Sequence, residues 1–433
     1  MVISFRRFRH NLVCKSGLSR HMVQTAAVCL NSPTVEHTWK TPKELAFFLY
    51  NRIVALCEHF VVIDKPANLS VYGQSLKKLE LMRMLGYKEL SNPSALCVKD
   101  CLPHLHSLLM EGNLNTSDKL PVTKYSPFPA GCQSHPSDAL PTTELSIIEP
   151  LPATYSGLIL LGRTPEYTKA ATKFYDTAMF GDPAWQMYQH FLAFCCGHPF
   201  RSAIESERFP ISSFQVNEEL RVGYRPPPNE ISRRTTSNGM VLQKLIRHRV
   251  VARPHKDFCL VELWCNSTVR GLPEVHLLYE GCSVLGERLQ SSRLTTIRPS
   301  LVVAPASQVK LNGESPSWLH EWLCRTGLHG VPMHMHRSRL HLLCPLFTRA
   351  TKSRIAFEPV LHSPTGHFEY EDEENRALCW TPLTSNEAGV ENRMMLTCRS
   401  LKVPDHFAET FKRLNVAFDY NAWLVNMTKD DDL

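Results

Sequence analysis

Short blocks of consecutive apolar residues alternate along this chain with stretches whose apolar positions recur every three to four residues. The blocks read as buried strands and the periodic stretches as amphipathic helices. The most marked block is Ser156–Gly162 (SGLILLG), which predicts a strand; Arg163 and a capping Thr164 then lead into a helix over 165–179. In that helix Ala170, Ala171, Phe174 and Ala178 share one face. His59–Asp64, Gln189–Cys196 and Phe258–Leu263 predict further strands. Residues 41–56 open with a capping box of Thr41, Pro42 and Glu44 and predict a short helix. Helices are expected between Gly73 and Leu109, where Leu102, Leu105 and Leu109 fall on one side, and again over Pro404–Leu414. The longest apolar run, Leu45–Tyr50, is about six residues, so no transmembrane helix is expected.

Punctuation divides the chain. Residues 111–141 are rich in Pro, Ser, Thr and Asn and read as an inserted loop. Residues 346–392, with the acidic run Glu369–Glu374, read as a second insertion. The organisation expected is a leader over 1–31, a main domain over 41–343, and a C-terminal helix and tail over 393–433.

Charge sharpens this outline. Residues 1–35 hold Arg6, Arg7, Arg9, Lys15 and Arg20 and no acid, with Phe5, Phe8 and Leu12 on one helical face. That is the pattern of a mitochondrial targeting leader, which implies the matrix. The leader carries five of the seven net charges, so the rest of the chain stands at +2. Within that remainder, Arg221 to Arg253 holds eight basic residues against Glu230 alone. Such a segment suits a phosphate-tracking surface, with Arg233, Arg234, Arg247 and Arg249 as its candidate RNA contacts. The fifteen cysteines show no repeated zinc spacing, and their odd number without a secretory signal favours a reducing compartment. Cys97, Cys101, His104 and His106 lie close in sequence, but the same run reads as a helix with a leucine face. Alternation along a strand separates His334 and His336 from His341, and no metal site is expected.

Five pieces, taken in order, resemble one family, the RluA group of RNA pseudouridine synthases. Lys65-Pro66-Ala67-Asn68-Leu69 is similar to its K-P-x-G-L turn, with Asn where Gly stands. Ser156-Gly157-Leu158 matches the end of its H-R-L-D-R-x-T-S-G-L motif. Gln189–Cys196 resembles its K-x-Y-L-A strand, with Phe191 at the tyrosine. Thr268–Leu277, followed by Gly281 and Gly286-Glu287, keeps part of its third motif, and Val331–Leu342 resembles its L-H-A-x-x-L strand. Leu245–Ala252, Val284–Glu287 and Met333–Arg337 look most like the mitochondrial mRNA branch of that family.

The resemblance implies an α+β pseudouridine-synthase core with a mixed, mostly antiparallel sheet, a central RNA-binding cleft and no S4 domain. It implies an isomerase that needs no cofactor and turns uridine into pseudouridine in mitochondrial mRNA or rRNA, with mitochondrial ribosome or RNA-granule proteins as possible partners. Lys65, Tyr155, Ser156, Phe191 and His276 would line the RNA site. The family's nucleophilic Asp, however, falls at Pro152, and Glu274 stands at the arginine that pairs with it. Glu149, three residues upstream, is the nearest substitute carboxylate. The alternative is an RNA-binding, ribosome-assembly or RNA-stability factor without catalysis.

Overall fold

The computed structural model describes residues 3–4, 39–74, 76–85, 96–115, 144–180, 187–297, 300–310, 317–328, 330–347, 355–358, 361–362, 377–382, 393–416, 418–420 and 422–423. Apart from Ile3–Ser4, paired antiparallel with Ser300 and Leu301, the leader lies outside them, as does most of the insertion over 111–141.

The chain enters through helix α1 (Pro42–Tyr50), where the Thr41 hydroxyl accepts from the Glu44 amide at 3.2 Å. The helix ends there. Ile53–Leu56, inside the stretch expected to be helical, is instead strand β1, hydrogen-bonded to β2 (Phe60–Lys65). Pairing with β2 overrides whatever helical bias those four residues carry. Helices α2 (Leu76–Met84) and α3 (Val98–Asn115) follow, and Leu102, Leu105 and Leu109 of α3 are buried as the leucine spacing requires. The central segment holds two strands: β3 (Ser146–Glu149), short and not anticipated, and β4 (Ser156–Gly162). Helix α4 (Pro165–Phe180) buries Tyr167, Ala171, Tyr175 and Ala178 at helical spacing. Its two deeper phenols reach chain carbonyls, Tyr167 to Leu343 at 3.2 Å and Tyr175 to His341 at 2.7 Å.

Next come β5 (Gln189–Cys196), β6 (Ala203–Gln215), β7 (Arg221–Tyr224), the one-turn α5 (Arg233–Ser237), β8 (Leu242–His255) and β9 (Phe258–Cys265). Helix α6 (Leu272–Tyr279) leads to the two-residue β10 (Ser283–Val284) on β5. A hairpin, β11 (Leu294–Ile297) and β12 (Ser300–Val303), precedes α7 (Ser317–Arg325) and β13 (Met335–Leu342). The main sheet runs β1-β2-β4-β13-β5-β9-β8-β6-β7. All these neighbours are antiparallel except β13 and β4. The fold is therefore α+β, with a mixed, mostly antiparallel sheet.

Within the stretch read as a second insertion, Leu378–Pro382 is a strand paired with Arg393–Arg399. Arg393–Arg399, at the head of the segment read as a helix and tail, pairs in turn with β13 and extends the sheet. The last helix, Asp405–Arg413, follows it.

Strand alternation gives the sheet two dressed faces. On one, Val61, Ile63, Ile159, Leu161, Phe191, Val261 and Leu263 pack beneath α1, α3 and α6. On the other, α4 covers Phe60, Val62, Leu158 and Leu160, while α7 and Asp405–Arg413 cover Leu192, Phe194, Phe258 and Leu260. Each such apolar side chain contributes roughly 1.5–3 kcal/mol on burial.

Candidate functional site

The turn leading into β4 is where the resemblance puts the chemistry. Residues Pro152–Tyr155 form a tight turn, with the Tyr155 amide on the Pro152 carbonyl at 3.2 Å. Beneath it Lys65 is fully buried, and its ammonium donates to the carbonyls of Pro66 and Leu69, each at 2.9 Å, Ala153 at 3.2 Å and Tyr155 at 2.5 Å. Burial pushes Lys65 well below the usual lysine range. It ties the Lys65–Leu69 turn to the Pro152–Tyr155 turn. Asn68, at φ 64°, takes the left-handed conformation expected of the residue in glycine's place. Pro152 is half-buried and offers no group able to attack a sugar carbon.

At the end of that turn, Tyr155 is fully buried and edges onto the Phe191 ring, with centroids 5.7 Å apart. Its phenol donates to Glu274 at 2.5 Å. Glu274 sits in the first turn of α6, which follows two residues with positive φ, Arg270 (57°) and Gly271 (65°). Burial pushes the Glu274 carboxyl up to about 7, against the phenol's stabilisation of its charged form. A second acid, Glu287, lies near enough to add to that rise and is itself raised by burial. Its oxygens accept from the amides of Leu289 at 2.7 Å, Gln290 at 2.8 Å and Ser291 at 2.6 Å, which pins the turn after β10. The region thus holds a half-buried acid hydrogen-bonded to a fully buried phenol, which burial and Glu274 push well above its usual range, and no nucleophile at position 152.

The structure corrects several expected roles. Glu149 does not turn toward Pro152; its carboxylate pairs at 3.1 Å with the fully buried Arg337, whose Nε also donates to the Leu158 carbonyl at 2.6 Å. Burial raises Glu149 to about 7 despite that arginine. Ser156 is buried, its hydroxyl 3.0 Å from His336 Nδ1. His276 is buried with Nε2 2.9 Å from His248 Nδ1. Lys65, Tyr155, Ser156, Phe191 and His276, expected to line the RNA site, are all buried in this structure. They shape the core beneath the site instead.

The four candidate arginines divide into two groups. Arg233 and Arg234 are exposed on α5, behind a capping box of Ser232 and Thr235. The loop after α5 is held by Arg270, which donates to the Gly239 and Met240 carbonyls at 2.9 Å each. Arg270 adjoins the turn that starts α6, so the loop after α5 is tied to that turn. Arg247 and Arg249 lie on β8 with Trp264 under both guanidinium groups, at 4.5 and 5.6 Å. Other basic residues of the segment serve the fold. Lys244 is buried and donates to the Met179 carbonyl at 3.1 Å, and Arg225 pairs with Glu207 at 3.3 Å.

His334 and His341 are bound to Thr410 and Thr397 hydroxyls, each at 2.8 Å. Among the described residues no three His, Cys, Asp or Glu side chains are grouped to hold a metal ion. Sequence reasoning singled out Tyr155 and Glu274 separately and missed their pairing. It also missed the Glu149–Arg337 pair, whose members stand 188 residues apart.

No family model matches the chain, and no curated protein matches it. Two human solved structures are similar to it. RNA Pseudouridylate Synthase Domain Containing 4 is 16% identical with a TM-score of 0.46, over 87% of this chain and 98% of that one. RNA Pseudouridylate Synthase Domain Containing 1 is 11% identical with a TM-score of 0.38, over 70% of this chain and 80% of that one.

Proposed function

We propose that this chain is an RNA-binding protein of the pseudouridine synthase family, of its mitochondrial branch, in which the ancestral site no longer isomerises uridine. The observation that carries the reading is the Tyr155–Glu274 hydrogen bond beside Pro152. Where the family sets an arginine against a nucleophilic aspartate, this chain has an acid against a phenol. A retained arginine without its carboxylate would be a buried, unpaired charge, which costs several kcal/mol. Replacing both members removes that penalty and the chemistry together. Glu274 and Glu287 leave the floor of the site acidic when ionised, a poor environment for a flipped nucleotide's phosphate. RNA is instead met by exposed cations, Arg233 and Arg234 among them. The matrix location follows from the leader's composition, and ribosome or RNA-granule proteins are partners consistent with a binding role.

A second reading is favoured by one feature. Glu274 is half-buried, near neutral in pKa and hydrogen-bonded to a phenol, so it is the acid best placed to serve residual isomerase chemistry. Pseudouridine mapping of mitochondrial RNA, with and without this protein, decides between them. The binding reading expects an unchanged map and RNA that crosslinks to the chain, with crosslinks reduced by Arg233→Glu and Arg234→Glu together. Sites that disappear, and return with wild type but not Glu274→Gln, would establish the enzyme.

A further inference from the structure

The face of the sheet away from Pro152 carries a row of side chains that the site above does not use. Arg247 of β8 stands directly opposite Trp264 of β9, and Trp264 opposite His190 of β5. Their chain neighbours Ile246, Leu263 and Phe191 point the other way, into the core beneath Tyr155. Trp264 is nearly buried, with the Arg247 guanidinium 4.5 Å over its ring and the edge of His190 5.5 Å from it. Arg249, on the same side of β8, is held at 2.7 Å by the buried carboxylate of Glu262. Two residues before Arg247, Leu245 is opposite the exposed Arg208 of β6, which places a third guanidinium on this side.

The row is built for an anion. Stacking on Trp264 fixes the plane of Arg247, yet its N–H groups make no hydrogen bond or ion pair to the described residues. His190 is 5% exposed, binds His341 through Nε2 at 3.2 Å and leaves Nδ1 without a partner. Burial first, then the neighbouring His341 and the charges of Arg339, Arg247 and Arg249, hold His190 well below its usual range. Arg208, Arg247 and Arg249 bring three guanidinium groups to this side, Arg249 paired with Glu262. A guanidinium fixed on an aromatic face is pre-organised for bidentate phosphate contact. Arg208 and Arg247 lie on neighbouring strands, offset by two residues, or about 6.8 Å along the strand direction.

We propose that Arg208, together with Arg247 and Arg249 over Trp264, holds the phosphate backbone of single-stranded RNA, as a second contact surface on the face of the sheet opposite the Pro152 turn. The proposal rests on the RNA-binding reading and adds where the strand runs. Binding of a labelled oligouridylate to the full chain, followed by anisotropy over a range of salt concentrations, tests it. Arg208→Gln with Arg247→Gln should weaken binding about tenfold at 0.1 M salt and lower the salt slope by about 1.4, two single-strand phosphate contacts. Arg208→Gln alone, at an exposed position, should lower the slope by about 0.7 without touching the fold. Wild-type affinity and slope in both variants would overturn the second surface, and a loss confined to Arg233→Gln with Arg234→Gln would leave the RNA-binding reading standing without it. Wild type that binds no RNA would overturn both.

Discussion

Glu274 shows how burial rewrites a side chain's role. Its carboxyl, near 4.5 when unfolded, rises to about 7 in the folded chain. The folded state then holds a proton that the unfolded state has released, so this contribution is complete below about 4.5 and is lost as pH rises through about 7. Stability measured by urea unfolding should therefore fall between pH 5 and 7.5, and Glu274→Gln should flatten that fall. An unchanged slope would place the raised acid elsewhere. Lys65 makes the complementary case. Its four carbonyl partners come from two separate turns, so Lys65→Met removes a donor from four buried or part-buried acceptors at once. A loss of about 2–4 kcal/mol is expected, read by the same unfolding measurement. The sequence shows this lysine's charge and its place in a turn similar to K-P-x-G-L, and not the carbonyls arranged around it.

At the level of elements, β4 is the strand on which the others depend. It pairs with β2 and β3 antiparallel and with β13 parallel, and its apolar run reads as buried on both faces, which it is. Gly157 permits the parallel contact. Its φ is +114°, and a Cβ there would overlap the backbone carbonyl of Arg337. Gly157→Ala should cost about 3 kcal/mol or more, because strain and overlap with backbone add, and a drop in thermal midpoint would show it. The run SGLILLG makes β4 legible in the sequence alone. The strands β1 and β3 are not legible there, since IVAL and SIIE are four residues each and acquire their state only by lying beside β2 and β4.

For the whole molecule, the C-terminal segment closes the second face. Phe407 and Phe411 pack with Phe194 and Phe258, and the Thr410 hydroxyl binds His334. Ending the chain at Ser400 removes these together with Tyr420 and Trp423 and uncovers the apolar side of β5 and β9. Such a chain should bind a hydrophobic dye at native pH and lose about 5 kcal/mol or more, at roughly 1.5–3 kcal/mol for each large side chain lost. Dye binding equal to the full chain would show that the segment is not part of the core.

By itself the sequence determined which runs become the principal strands and helices, because apolar periodicity and capping are local properties. It also determined that position 152 holds no carboxylate. Only the tertiary structure decided who partners whom. It gave Glu149 to Arg337, set Tyr155 against Glu274, and separated Arg247 and Arg249 from Arg233 and Arg234. Each of those outcomes depends on residues far apart in the chain meeting across the sheet. Burial, which raises the carboxyls of Glu149 and Glu274, exists only once the sheet has formed.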